Sequence, residues 1–202
     1  MDRTIGQRCP TDVEQEAAMS TTTARKGTST SSTTVFQEQV VTRAGARYAL
    51  AFGRIVIGWV FLWAFVDKLF GLGYATPAER AWLNGGTPAQ GYIGGAEGPF
   101  AGFFQSTFQN AFGDVLFMAG LLGIGLAMML GIGLKVAAVT GTLLMVFMWM
   151  TQIPWVLGGT NPITTSHWVE AALLIIAAAT LAGDTAGLGR QWGRVVGNSW
   201  LR

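Results

Sequence analysis

Four ionisable side chains, Asp67, Lys68, His167 and Glu170, stand inside long apolar segments, where a charge is costly and usually functional. Arg54 and Asp67 lie roughly 20 Å apart along a helix, and Glu170 and Asp184 roughly 21 Å, both shorter than the ~30 Å hydrocarbon core. No placement of the first or last apolar segment therefore puts every charge in water. Arg54 can snorkel on its long stem, but Asp67 and Glu170 are too short to do so. His167 and Glu170 are three residues apart and share a helix face. Asp67 and Lys68 are neighbours about 100° apart, so they cannot both point at one spot. A histidine beside a carboxylate can take up and release a proton near neutral pH, which makes His167, Asp67 and Glu170 candidate catalytic groups. The structural alternative is a clamp between helices, with Asp67 bonding His167 or Lys68 pairing Glu170. Glu170 also suits the first turn of a helix opening after Thr164-Thr165-Ser166, although it misses the S-x-x-E capping box by one position.

The elements that must hold these groups are membrane helices. The chain has 202 residues, half of them hydrophobic and only 12% charged, where soluble domains carry about 25% charge. Eleven of its 13 bases and 11 acids taken together fall in residues 1–47, so the remainder could not cover a soluble surface. The net charge of +2 is no argument for nucleic acid. One cysteine, Cys9, excludes an internal disulfide, a CxxC centre and a paired-cysteine zinc site. Four apolar runs follow, Tyr48–Tyr74, Phe112–Gly133, Leu134–Trp155 and His167–Leu188, each long enough to cross a bilayer as a helix. The expected fold is all-α, an integral membrane four-helix bundle over residues 47–193. It is flanked by a disordered Ser/Thr-rich tail (1–46) and a short C-terminal end (194–202).

Basic residues set the orientation. The tail, Lys135 in the second turn, and Arg190, Arg194 and Arg202 are basic, whereas the other two loops contain only Arg80, with Lys68 at a helix end. Both termini are expected in the cytoplasm, in a multi-pass inner-membrane protein whose tail stays on the side where it is made, since no apolar segment precedes Tyr48 to act as a secretory signal. The 75–111 loop, rich in glycine and phenylalanine, is either a cap on the bundle or an ordinary surface loop. Ala119, Gly123, Ala127 and Gly131 form a small-residue stripe expected to pack against a neighbouring helix. The methionines of the middle two segments are expected to fill the bundle core. A single histidine cannot provide bis-His haem ligation, and there is no glycine-rich nucleotide loop or metal-binding motif.

An ordered set of short motifs resembles the DoxX/DoxD-like membrane family, which includes the small subunit of thiosulfate:quinone oxidoreductase. The motifs are Phe65-Val66-Asp67-Lys68-Leu69-Phe70-Gly71, Asn84-Gly85-Gly86-Thr87-Pro88, Gly98-Pro99-Phe100, Leu121-Leu122-Gly123-Ile124-Gly125-Leu126-Ala127, Leu130-Gly131-Ile132-Gly133, and Asn161-Pro162 followed by His167. The resemblance spans about residues 48–193; Ser166 stands where relatives often carry an acid just before the histidine. It implies a bacterial four-helix bundle that oxidises thiosulfate and passes electrons to membrane quinone as acceptor, with a separate DoxA-like partner. On that expectation Lys68, Arg80 and Asn161 bind substrate, Asn161 holding a substrate or quinone oxygen, and His167 handles the quinone proton. A different class is open as well: a non-catalytic membrane scaffold, able to form a homo-oligomer, that recruits soluble redox or sulfurtransferase enzymes and uses its polar cluster only as a clamp. Transport of small sulfur species is a third reading, because buried charges also mark transport paths.

Overall fold

The computed structural model describes residues 34–158 and 161–202, so most of the expected disordered tail, Cys9 included, lies outside the described residues. Among the described residues the chain is all-helical. It runs through α1 (Gln37–Val40), α2 (Ala44–Phe70), α3 (Gln90–Gly94), α4 (Ala101–Phe108), α5 (Ala111–Leu130), α6 (Leu134–Thr151), α7 (Pro154–Leu157), α8 (Ser166–Ala179) and α9 (Gly189–Val196). Single 3-10 turns stand at Ala78–Arg80, Trp82–Asn84 and Ala182–Asp184. Three segments are long and apolar enough to cross a membrane: α2 with 27 residues, α5 with 20, and the tract Leu134–Leu157 with 24.

Local chemistry sets the helix ends. α2 stops where Gly71 turns left-handed at φ 67° and returns its N–H to the Asp67 carbonyl at 2.7 Å. Asn110 caps α5 by accepting the Gly113 N–H at 3.1 Å. Gly131 and Gly133, at φ 75° and 61°, make the tight turn expected between the second and third segments. α6 ends at Thr151 because Pro154 cannot extend it.

α2 packs on α5 and α8, and α6 packs on the same two helices, closing a ring of neighbours around one core. Ile57, Phe61, Met118, Leu121, Met128 and Leu174 are at its centre. Met118, Met128 and Met145 are buried there, as expected of adaptable filling. Backbones come closest at Gly58 and Gly125, where an added Cβ would stand 2.9 Å from Met128 Cβ and 2.8 Å from the Leu62 nitrogen respectively. Of the expected stripe Ala119, Gly123, Ala127 and Gly131, the last member does approach a neighbouring backbone, a Cβ on Gly131 standing 2.8 Å from Gly183 Cα. Ala119 and Gly123 make no part of the α2–α5 seam. Ala119 and Gly123 are exposed, and nothing lies within 4 Å of a Cβ placed on Gly123. Four-residue spacing identifies a face of small residues, but Gly58 and Gly125, each opposed by a larger partner, form the close seam.

The fourth apolar run departs most from expectation. Helix was expected to Leu188, yet α8 ends at Ala179 after 14 residues, about 21 Å of rise. The chain then turns through Leu181 and Ala186, both left-handed at φ 50°, a conformation side chains with a Cβ resist. Arg54 holds it there. Only 1% exposed, Arg54 donates to the carbonyls of Ala182 (3.2 Å) and Ala186 (2.8 Å) in this segment, and to those of Met128 and Met129 (3.0 Å) at the end of α5. Gly183 lies against Gly131 so closely that a Cβ on it would overlap the Gly131 carbonyl. Leu188 donates to the Leu130 carbonyl at 2.8 Å. Arg54 is thus bound internally and does not snorkel.

The same end gathers both flanks of the described chain. Asp184 Oδ2 accepts the Gln37 N–H and an Arg202 Nη2–H, each at 2.9 Å. Arg202 and Arg190 sit over the Phe36 ring, and Arg190 pairs with Glu38. Packing therefore begins ahead of residue 46, the boundary expected from composition. Residues 34–41 include Val35, Phe36, Val40 and Val41 but are held largely by polar partners roughly 150 positions away, which local composition does not reveal.

Replacing Arg54 with Leu should leave four backbone carbonyls without their donor and destabilise the protein by about 3 kcal/mol or more. Arg54→Lys should recover only part, because an ammonium cannot match the guanidinium fork. Thermal unfolding of the three proteins in one detergent measures the order wild type, Lys, Leu.

Candidate functional site

At the opposite end, residues 71–110 and 152–165 connect the helices; this is called the loop end below. The long loop is a cap. Ala89, Ile93 and Phe104 are buried in a second small core against Phe108, Phe117, Phe147 and Met150. Asp114, in the first turn of α5, fixes the cap by accepting the Ala89 N–H at 2.7 Å and the Gln90 N–H at 3.2 Å. The Tyr92 hydroxyl shares a hydrogen bond with Thr151 at 2.9 Å, tying the cap to the end of α6. Burial pushes the Tyr92 phenol above its usual range, and the Thr151 bond offsets part of that rise.

Asp67 does the same work as Asp114. Its carboxylate is 1% exposed and accepts the Tyr74 N–H at 3.3 Å and the Ala75 N–H at 3.0 Å. The short side chain that cannot reach water instead satisfies the backbone that leaves α2. His167 sits elsewhere. It is half-buried with Met145, Val146 and Trp149 of α6, and its Nδ1 is 3.0 Å from the Thr165 hydroxyl. Glu170 and Lys68 are half-buried, and among the described residues neither makes an ion pair. The clamp contacts considered above, Asp67 with His167 and Lys68 with Glu170, are not formed.

Arg80 is exposed on a 3-10 turn. Asn161 is also exposed, and its Oδ1 accepts the N–H groups of Ile163 (2.8 Å) and Thr164 (3.0 Å), forming the turn that leads into α8. Asn161 does line an open cavity of about 630 Å3 at the loop end, together with Tyr92, Thr151, Gln152, Thr165 and Ser166. Its lining is uncharged, hydroxyl and amide groups alternating with apolar Ala96, Pro154 and Leu157. His167 reaches this cavity only through Thr165, and Asp67, Lys68, Glu170 and Arg80 do not line it. Among the described residues no three His, Cys, Asp or Glu side chains gather as a metal site.

Sequence reasoning missed Tyr92 and Thr151. The cap's dense glycines and phenylalanines marked the region, but nothing marked these two hydroxyls as partners 59 positions apart. Searches against family models, curated proteins and solved structures find no match to this chain.

Asp67→Ala should leave the part-buried amides of Tyr74 and Ala75 without their acceptor and cost about 1–3 kcal/mol, whereas His167→Gln should stay within about 1 kcal/mol of wild type because the side chain is half-exposed with one hydrogen bond. Parallel thermal unfolding curves check the contrast; a larger loss for His167→Gln than for Asp67→Ala would contradict it.

Proposed function

We propose that this chain is a four-span membrane subunit of DoxX/DoxD type that holds soluble redox or sulfur-transfer enzymes at the membrane rather than performing their chemistry. One observation carries the reading. Asp67, the candidate acid nearest the centre of the motif resemblance, is committed to two loop amides, and among the described residues it does not line the loop-end cavity or the His167 pocket. Four crossings, with α8 and the 3-10 turn after it as the fourth, are supported by the meeting of residues 36–38 with Asp184, Arg190 and Arg202 at one end. An odd number of crossings would part those segments. The basic residues Lys135, Arg190, Arg194 and Arg202 favour placing that end in the cytoplasm. Tryptophans favour the same frame, with Trp149 meeting Trp155 and Trp168 edge to face at the loop end and Trp192 and Trp200 at the other. The partners in this reading are lipid, a soluble sulfurtransferase or a DoxA-like subunit, and in some assemblies further copies of the chain.

A second reading, thiosulfate oxidation coupled to quinone reduction, draws on the polar cavity. The side-chain amide of Gln152 and the Ser166 hydroxyl can donate to a quinone carbonyl, and Thr165 links the cavity to His167 as a proton donor or acceptor. Against it, among the described residues no cation lines the cavity to attract a dianionic substrate; Lys68 and Arg80 lie outside.

The two readings part in one experiment. Membranes containing only this protein should reduce no quinone on adding thiosulfate above empty membranes. In producing cells, loss of the chain should move membrane-bound thiosulfate sulfurtransferase activity to the soluble fraction, and a His167→Gln chain should restore it. Quinone reduction by the isolated protein that vanishes with His167→Gln would overturn the scaffold reading in favour of the enzyme.

A further inference from the structure

α6 presents a stripe of Lys135, Ala138, Thr142 and Val146, spaced by three or four residues along one face. This stripe forms one wall of an apolar groove of about 710 Å3, with Ala178 and its neighbours on α8 as the other. Two features open it. The wall residues Ala138, Ala178 and Ala179 are small, and α8 ends at Ala179, after which the chain turns away through Leu181. From Lys135 to Val146 the groove runs about 16 Å along the helix axis, close to the ~15 Å of one bilayer leaflet. Its mouth, at the end where the chain's flanks meet, carries Lys135, Trp200 and Val40.

We propose that this groove is a specific site for one acyl chain of an anionic phospholipid, with the headgroup phosphate on Lys135. Length matches a single leaflet, the walls are apolar, and charge occurs only at the mouth. The Lys135 ammonium gives one hydrogen to the Ser199 carbonyl at 3.0 Å, which leaves two donors for phosphate oxygens. No carboxylate competes: among the described residues the acids at this end are engaged elsewhere, Asp184 with Arg202 and Glu38 with Arg190. Trp200 places an amphipathic ring at headgroup depth beside it. The site depends on the helices crossing a bilayer and is independent of whether the bundle is a scaffold or an enzyme.

The test uses the full chain in mixed micelles containing equal palmitoyl-oleoyl phosphatidylglycerol and phosphatidylcholine, with native mass spectrometry counting the lipid retained. Wild type should keep one lipid, with phosphatidylglycerol favoured about fivefold, the ratio expected from a single basic contact. Lys135→Gln should keep a lipid but lose the preference. Val139→Trp, on an exposed groove position, should abolish retention, and Leu143→Trp on the same wall serves if that variant does not fold. Val115→Trp, exposed on α5, should retain lipid as wild type does. Equal retention of the two lipids by wild type, an unchanged preference in Lys135→Gln, or retention in the groove-filling variants would each overturn the site. A lipid-free dimer that the groove-filling variants dissociate would give the groove to a second copy and overturn it too.

Discussion

A buried arginine satisfied by carbonyls holds the end of this molecule where its flanking segments meet. Arg54 binds the carbonyl end of α5 and the irregular segment after α8 at once. A helix C-terminus carries partial negative charge, so a cation there is stabilised without a carboxylate partner. The unwound residues 180–188 could not exist at membrane depth with their carbonyls unmet. Their left-handed Leu181 and Ala186 follow from the same constraint, because the segment must aim two carbonyls at one guanidinium while Gly183 nests against Gly131.

The carboxylates mirror this arrangement. Asp67, Asp114 and Asp184 each accept backbone N–H groups from a segment outside the long helices: the start of the loop after α2, the start of α3, and α1. Three acids and one base inside an apolar fold thus share one role, to bond backbone groups at helix ends and in the segments that join the long helices. Charge within a membrane segment is often taken as a sign of transport or catalysis. In this protein, much of it is explained by chain geometry.

That division also explains what the sequence disclosed. The first three apolar runs were legible because length and hydropathy suffice for α2, α5 and α6, and glycines at 71, 131 and 133 mark their ends. The break in the fourth run was not, since Leu181 and Ala186 are ordinary residues whose conformation is imposed by Arg54, more than 120 positions earlier. The location of Asp67 and His167 near the loop end was legible from spacing, but their partners were not: two helix positions at similar depth can face opposite neighbours, as Asp67 toward its own loop and His167 toward α6. The cap's packing was half legible, through the aromatics that became its core, while its attachment through Asp114 and Thr151 required the fold.

The Asp184 junction has a temporal meaning as well. Gln37 finds its acceptor 147 residues later in the chain. At about 5–20 residues per second of synthesis, the segment around Gln37 waits on the order of ten seconds while the helices between are made and inserted. Closure of this contact therefore has to follow synthesis of the last apolar segment, which makes it among the latest long-range contacts that the chain can form.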